Sequence, residues 1–288
     1  MKCQPFAHVV SSSLLTKVCD YCLKYEPCDE NSLQICTKCH MVCYCSSQCQ
    51  QEAWNSYHAK ECPYLTLFKP TILPDVLRII GRTILKLNAN GKEEFVKLPN
   101  GQKRSYEDLK SHGKEIGKDV RLMEAFDTLY RSLQFCMKEG LPSREIVQSI
   151  YAKTLINQID IYTHTGTRLG VGLYLDASVL DHACAPNAVT IFRGKEMIVR
   201  AIEDVDDFND LSISYIPNLS VSTKKRRQDL LSEYYFHCEC SKCQDEDADI
   251  KKSSIICPDC SHCCPTSTGK CSSCQVKISK LSRNLSSI

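Results

Sequence analysis

Apolar positions recur at helical spacing through the first half of the chain's middle and at strand spacing through the second. After Pro74 and Asp75, Val76, Leu77, Ile80, Ile84 and Leu87 form one stripe and predict a helix. The polar, Asn- and Gly-rich stretch 88–105 reads as a loop. Leu122, Phe126, Leu129, Leu133 and Cys136 then repeat at three- and four-residue spacing, a second helix. Pro142 and Ser143 open a third, with Ile146, Ile150 and Leu155 on its inner face. From about residue 169 the period becomes that of strands, in LGVGLYL, NAVTIFR, EMIVRAI and DLSISY. Gly194-Lys195 supplies a hairpin turn between two of them. A last helix is expected over 224–236, before acidic QDEDAD (244–249) and a basic tail. No internal repeat is visible, and no helical-repeat domain is expected after residue 276.

Composition narrows the class. Of 288 residues, 43% are hydrophobic and 24% charged, a globular balance. The 36 basic and 34 acidic residues leave a formal +2, which gives no support to a whole-surface nucleic-acid binder. No apolar run approaches the roughly 18–20 residues of a membrane helix. The first 20 residues make a poor secretory signal, because His8 and Ser11–Ser13 break their apolar stretch. The 21 cysteines are therefore read as metal ligands in a reducing compartment rather than as disulfides. Nine lie between Cys19 and Cys62 and nine between Cys238 and Cys274, so a Cys-rich module stands at each end of an ordinary globular segment.

The first cluster reads Cys19-x2-Cys22, Cys36-x2-Cys39, Cys45-x3-Cys49 and His58-x3-Cys62. Thiolate and imidazole suit zinc, and eight ligands make two closed, structural tetrahedra. With Tyr44-Cys45-Ser46, and with Trp54 four residues before His58, the pattern resembles a MYND finger. The resemblance implies interleaved pairs: Cys19, Cys22, Cys45 and Cys49 on one zinc, Cys36, Cys39, His58 and Cys62 on the other. Cys28 and Cys43 fall outside the pattern and read as spare buried thiols, and His40 as a neighbour of the site. In the second cluster, Cys238, Cys240 and Cys243 need a fourth ligand, for which Cys184 is the nearest upstream candidate. In the third, Cys257, Cys260, Cys271 and Cys274 have zinc-ribbon spacing, with Cys263 and Cys264 as alternative ligands.

The segment GVGLYLDASVLDHACAPNAV (170–189) resembles the signature of SET-domain methyltransferases, an Asn-His-Ser-Cys-x-Pro-Asn run after a Gly-x-Gly-Leu-Tyr-like strand. Here the run is Asp181-His182-Ala183-Cys184-Ala185-Pro186-Asn187. Strand DLSISY ends in Tyr215, 33 residues after His182, and Tyr234, Phe236 and the Cys238-Cys240-Cys243 triplet follow. A SET core with an inserted MYND finger and a post-SET zinc is the SMYD family, and the resemblance runs from about residue 3 to 243. It implies an α+β fold: a SET-type β core with a helical insert, plus small zinc-stabilised modules. The expected divisions are an N-terminal SET remnant (1–18), the MYND finger (19–62), a helical insert (63–168), the SET core (169–216), the post-SET zinc segment (217–245) and a ribbon-like module (255–276).

The same resemblance implies a protein-lysine N-methyltransferase using S-adenosylmethionine and zinc. Tyr215 and Tyr234 match the catalytic tyrosines. Asp181, His182, Ser178, Asn157 and Phe236 match positions lining the cofactor pocket, and Cys184 the post-SET zinc ligand. The implied partners are a substrate protein's lysine and, at the finger, proline-containing peptides. The expected setting is cytoplasm and nucleus, off the membrane, as a monomer.

Four departures from the family pattern bear on activity. The 18 residues before Cys19 contain no glycine, so the usual Gly-x-Gly-like turn and the first strands are expected to be missing or replaced. The signature Asn is Asp181, a Gly-Glu-Glu turn is Phe208-Asn209-Asp210, and a channel aromatic is Ile159. A catalytically inactive zinc scaffold is therefore the competing reading. A third, nucleic-acid binding or nuclear import, would rest on Lys224–Arg227 and the basic tail.

Overall fold

The computed structural model describes residues 1–25, 33–137, 139–245, 254–257, 259–261, 263–265 and 270–277. Cys28, most of the acidic run 244–249, most of the basic tail and the side chain of Cys263 lie outside these described residues. The chain divides into two units. One comprises Met1–Asp181 with Asn187–Ile213, the other His182–Pro186 with Ser214–Ile288.

The first unit opens with β1 (Lys2–Cys3) and β2 (Ala7–Val10), followed by the finger strands β3 (Gln34–Ile35) and β4 (Cys43–Tyr44). Helices α1 (Ser47–Ala53) and α2 (Ala59–Leu67) flank a π-helical turn over Trp54–His58. Helix α3 (Asp75–Lys86) follows, then a hairpin of β5 (Phe95–Lys97) and β6 (Lys103–Ser105). Next come α4 (Gly113–Ile116), α5 (Val120–Cys136), α6 (Arg144–Asn157), β7 (Gln158–Tyr162) and β8 (Arg168–Leu173). Strand β9 (Asp181–His182) lies at the boundary, and β10 (Ala188–Arg193), β11 (Glu196–Ala201) and β12 (Ser212–Ile213) complete the unit's strands.

Two antiparallel three-stranded sheets form the β core. Their orders are β2-β8-β7, with Val9 opposite Val171, and β1-β11-β10, with Ile191 opposite Ile198. Gly170 is required by the first pairing, because a Cβ there would meet the Val9 carbonyl at 2.0 Å. The β10–β11 turn docks on the finger: Lys195 donates its amide to the Cys22 carbonyl at 3.1 Å. Gly194 beside it has φ +57°, and a Cβ would meet the same carbonyl at 2.2 Å.

Four sequence expectations need correction. Residues 1–18 do contain strands, β1 and β2. All four residues of β2 are buried, so the period-2 alternation that marks a half-exposed strand is absent. The stretch 88–105 holds the β5–β6 hairpin, whose two three-residue strands bury no side chain fully and are too short to show an apolar alternation. In α6 the buried face is Val147, Ile150, Tyr151 and Thr154, whereas Ile146 is 53% exposed. Strand structure resumes at Gln158, not 169, and DLSISY is a strand only at Ser212–Ile213, ending before Tyr215.

The second unit holds α7 (Thr223–Tyr234), N-capped by Ser222, and α8 (Ser241–Gln244). The short hairpin β13 (Ser254–Ile256) and β14 (Cys263–Pro265) completes it. Its small core is built from Cys184, Ile216, Leu230, Cys238 and Cys243, with a separate cluster of Cys257, Cys264 and Cys271.

Candidate functional site

Two knuckles of the same design begin the finger. Leu23 and His40 adopt φ +60° and +51°, and each donates its amide back to the carbonyl of Cys19 or Cys36 at 2.9 Å. That turn brings the sulfurs at x2 spacing to one side. The third pair is set by a helix start, where the Ser46 hydroxyl accepts the Cys49 amide at 3.1 Å and caps α1. His58 and Cys62 come from the π-turn and α2.

Four quartets result: Cys19, Cys22, Cys45 and Cys49; Cys36, Cys39, His58 and Cys62; Cys184, Cys238, Cys240 and Cys243; and Cys257, Cys260, Cys271 and Cys274. Within each, the ligand atoms all lie within 4.8 Å of one another. A tetrahedron with Zn–S bonds of about 2.3 Å has sulfur–sulfur edges of about 3.8 Å. The observed separations include 3.5 Å for Cys22–Cys45, 3.9 Å for Cys36–Cys62, 3.9 Å for Cys184–Cys238 and 3.5 Å for Cys260–Cys271. The cysteines are free thiols, too far apart for S–S bonds and spaced for a shared cation. The donor set fits zinc. Cys264 is buried beside the fourth quartet, and Cys43 is a buried thiol within bonding reach of the Leu15 and Val18 carbonyls, pushed up to about 12 by burial.

Behind the second quartet stands a buried ionic network that the sequence patterns did not disclose. His58 Nε2 faces Cys36 and Cys39 at 3.4 and 3.7 Å, while Nδ1 faces Glu61 at 3.5 Å. Carboxylate, imidazole and metal position are thus in series, an arrangement that fixes the ligand ring. Arg82 of α3 donates to both Glu61 oxygens at 3.0 and 2.8 Å, to both Asp20 oxygens at 3.0 and 2.8 Å, and to the His8 carbonyl at 2.8 Å. Its guanidinium lies 3.9 Å from the Tyr57 ring centre. Burial would raise Glu61, but the Arg82 charge and the hydrogen bond with His58 outweigh it and bring the carboxyl down to about 2. The available signal was Arg78 and Arg82, one turn apart inside an apolar helix.

A cationic collar surrounds the third quartet. Arg226, 1% exposed, reaches the Cys243 sulfur at 3.6 Å. Arg227 donates to the Cys238 and Cys243 carbonyls, and Lys242 to the Cys184 carbonyl at 2.9 Å. Two cations of the Lys224–Arg227 run thus brace this module, which weakens the nuclear-import and nucleic-acid readings of that run.

Next to this quartet, Tyr215 is ringed by aromatics. Ring centres lie 5.0 Å away for Tyr234, 5.4 Å for His182 and 6.3 Å for Phe236. The Tyr234 hydroxyl donates to the Tyr215 carbonyl at 3.2 Å. His182 is neutral: burial and the Arg226 charge bring it down to about 4. These four residues come together in the second unit.

The other sequence-predicted residues sit in the first unit or at its edge. Asp181 is exposed. Ser178 donates its hydroxyl to the Leu175 carbonyl and accepts from Arg104. Asn157 closes α6 and spends its amide N–H groups on the Lys110 and Lys153 carbonyls, both at 2.7 Å.

Fold and quartets together define a zinc-binding protein of mixed helix and strand built around a MYND-type finger. Residues 19–62 match the MYND finger family. Over 252 residues the chain is 32% identical to human histone-lysine N-methyltransferase SMYD3, covering 85% of this chain and 56% of the relative. It is 29% identical to Arabidopsis thaliana histone-lysine N-methyltransferase ASHR1, covering 88% of this chain and 52% of that protein. It is 24% identical to human N-lysine methyltransferase SMYD2, covering 88% and 56%. These likenesses support the assignment of the chain to the SMYD family and imply a SET core. The chain spans about half the length of the curated relatives it matches.

Proposed function

We propose that this chain is a protein-lysine N-methyltransferase. The observation that carries the reading is the aromatic group around Tyr215, in a chain whose curated relatives are named lysine methyltransferases. S-adenosylmethionine, the cofactor such a reaction needs, supplies a methyl already activated on a sulfonium. The protein's task is then to align a neutral amine and exclude water. In this reading the Tyr215, Tyr234 and Phe236 rings pack the lysine stem, and the tyrosines orient the amine. An apolar surround favours the deprotonated amine. Asp181, His182, Ser178, Asn157 and Phe236 serve the cofactor. The exposed Asp181 carboxylate suits an ammonium, and Asn157 keeps an amide oxygen to offer. Both His182 ring nitrogens are already engaged, so its ring serves by packing and its backbone by hydrogen bonding. A role in transcription or chromatin regulation, in nucleus and cytoplasm, belongs to the same proposal.

Calorimetric titration of S-adenosylmethionine into zinc-loaded protein tests it. Micromolar binding, followed by methylation of a lysine peptide that Tyr215→Phe depresses, is the expected result. Folded, zinc-loaded protein that binds no cofactor would overturn it. The second reading, a zinc scaffold for proline-containing peptides, would then lead. It is favoured by the half-buried Trp54 ring on the finger, over which Lys38 Nζ lies 4.5 Å from the ring centre.

A further inference from the structure

The Tyr215 backbone is held from both sides. Its carbonyl accepts the Tyr234 hydroxyl at 3.2 Å, and its amide donates to His182 Nδ1 at 3.0 Å. An amide N–H can only donate, so Nδ1 must present its lone pair. A doubly protonated ring could not do this, and the single ring proton therefore sits on Nε2. That nitrogen lies 3.2 Å from the sulfur of Cys184, a member of the third quartet. The imidazole thus accepts from the Tyr215 amide at one end and donates to a metal-facing sulfur at the other. The Cys184 amide in turn points at the Cys240 sulfur at 3.4 Å, so strut and quartet are hydrogen-bonded as one body.

We propose that His182 is a positioning residue, a rigid strut through which the third zinc site fixes the backbone seat of Tyr215. A shift of the Cys184 sulfur is transmitted by a planar ring to the Tyr215 amide. Loss of the metal would free both the tyrosine ring and the edge of the aromatic group. The importance of this seat for methyl transfer rests on the proposed function; the strut itself does not.

The test uses this 288-residue chain loaded with zinc, in wild-type, His182→Leu, His182→Asn and Cys184→Ser forms. Amide hydrogen exchange is read at Tyr215, and zinc release to a chromogenic chelator is followed in parallel. Losing a hydrogen bond from a buried group raises exchange roughly tenfold. His182→Leu, which removes both ends, is expected to raise Tyr215 exchange by about that factor and to hasten release of one zinc of four. His182→Asn keeps an acceptor where Nδ1 stood and loses the sulfur donor. It is expected to leave Tyr215 protected while still hastening zinc release, and it also guards against a folding defect in the Leu variant. Adding Cys184→Ser to His182→Leu is expected to raise Tyr215 exchange no further, because the link is already cut.

Tyr215 exchange within twofold of wild type in a folded, finger-loaded His182→Leu protein would overturn the proposal. So would His182→Asn exchanging as fast as His182→Leu. If wild type transfers methyl groups, His182→Leu should lower kcat, and His182→Asn, which keeps the acceptor for the Tyr215 amide, should lower it less. If wild type transfers none, the functional reading fails, while exchange and zinc release still decide the strut.

Discussion

Arg82→Met tests whether the finger is held to α3 by the buried ionic network. Methionine keeps much of the apolar stem and removes the guanidinium. The change deletes five hydrogen bonds, two to Glu61, two to Asp20 and one to the His8 carbonyl. Asp20 keeps the Tyr57 hydroxyl at 3.1 Å and Arg78 at 3.6 Å, and Glu61 keeps His58. Both carboxylates are fully buried and lose their main counter-charge. Removing one partner of a buried pair costs about 3–5 kcal/mol. Each 1.4 kcal/mol is tenfold, so the folded-to-unfolded ratio should fall by roughly two to three and a half orders of magnitude. The assay is urea denaturation of zinc-loaded protein, with chelator-driven zinc release alongside. Lys225→Met serves as the control, because it removes an exposed helical pair with Asp229 and should cost about 0.5 kcal/mol. An Arg82→Met loss no larger than about 1 kcal/mol would refute the reasoning, since it would mean that water or Arg78 replaces the guanidinium.

Three further outcomes follow from the same geometry. Glu61 is held below its ordinary value when folded, so its contribution is present above about pH 4.5 and is lost as pH falls toward about 2. An acid unfolding midpoint that Glu61→Gln leaves unmoved would contradict this. Gly194→Ala meets the Cys22 carbonyl at 2.2 Å with φ +57° and should cost more than about 1 kcal/mol in thermal denaturation. Metal analysis of purified chain should give four zinc ions, and Cys271→Ser three, with the finger still loaded.

The sequence made the metal framework legible because ligand spacing is local. A knuckle or one helical turn is a few residues long, and its cysteines carry no competing structural meaning in such density. Helices α3, α5 and α7 were legible from their periodicity or their N-terminal cap. What stayed hidden depended on distant partners. Strand β2 is buried on both faces and gives no alternation, and β7 starts directly after α6 with no Gly or Pro between them. Arg82 was invisible as a site residue because its value comes from Asp20 and Glu61, 62 and 21 residues away. His182 was legible as a motif residue. Its ring chemistry needed the Tyr215 amide and the Cys184 sulfur in place before it could be read.

The metal sites also change the protein's electrostatics. The formal +2 counts every cysteine as neutral. The four quartets use fifteen cysteines and one histidine. Fifteen thiolates subtract fifteen charges and four zinc ions return eight, which carries the loaded chain from +2 to about −5. Metal loading should therefore reverse the direction of native electrophoresis at pH 7.5: anodic when loaded, and cathodic or nearly stationary after acid stripping and return to that pH with chelator removed. The net-negative loaded form gives no long-range attraction to a polyanion, and two cations of the basic run in α7 are already engaged at the third quartet, which leaves that run a poor nucleic-acid footprint. A loaded chain that migrates toward the cathode would show that fewer of these thiols are ionised on metal than the four quartets require.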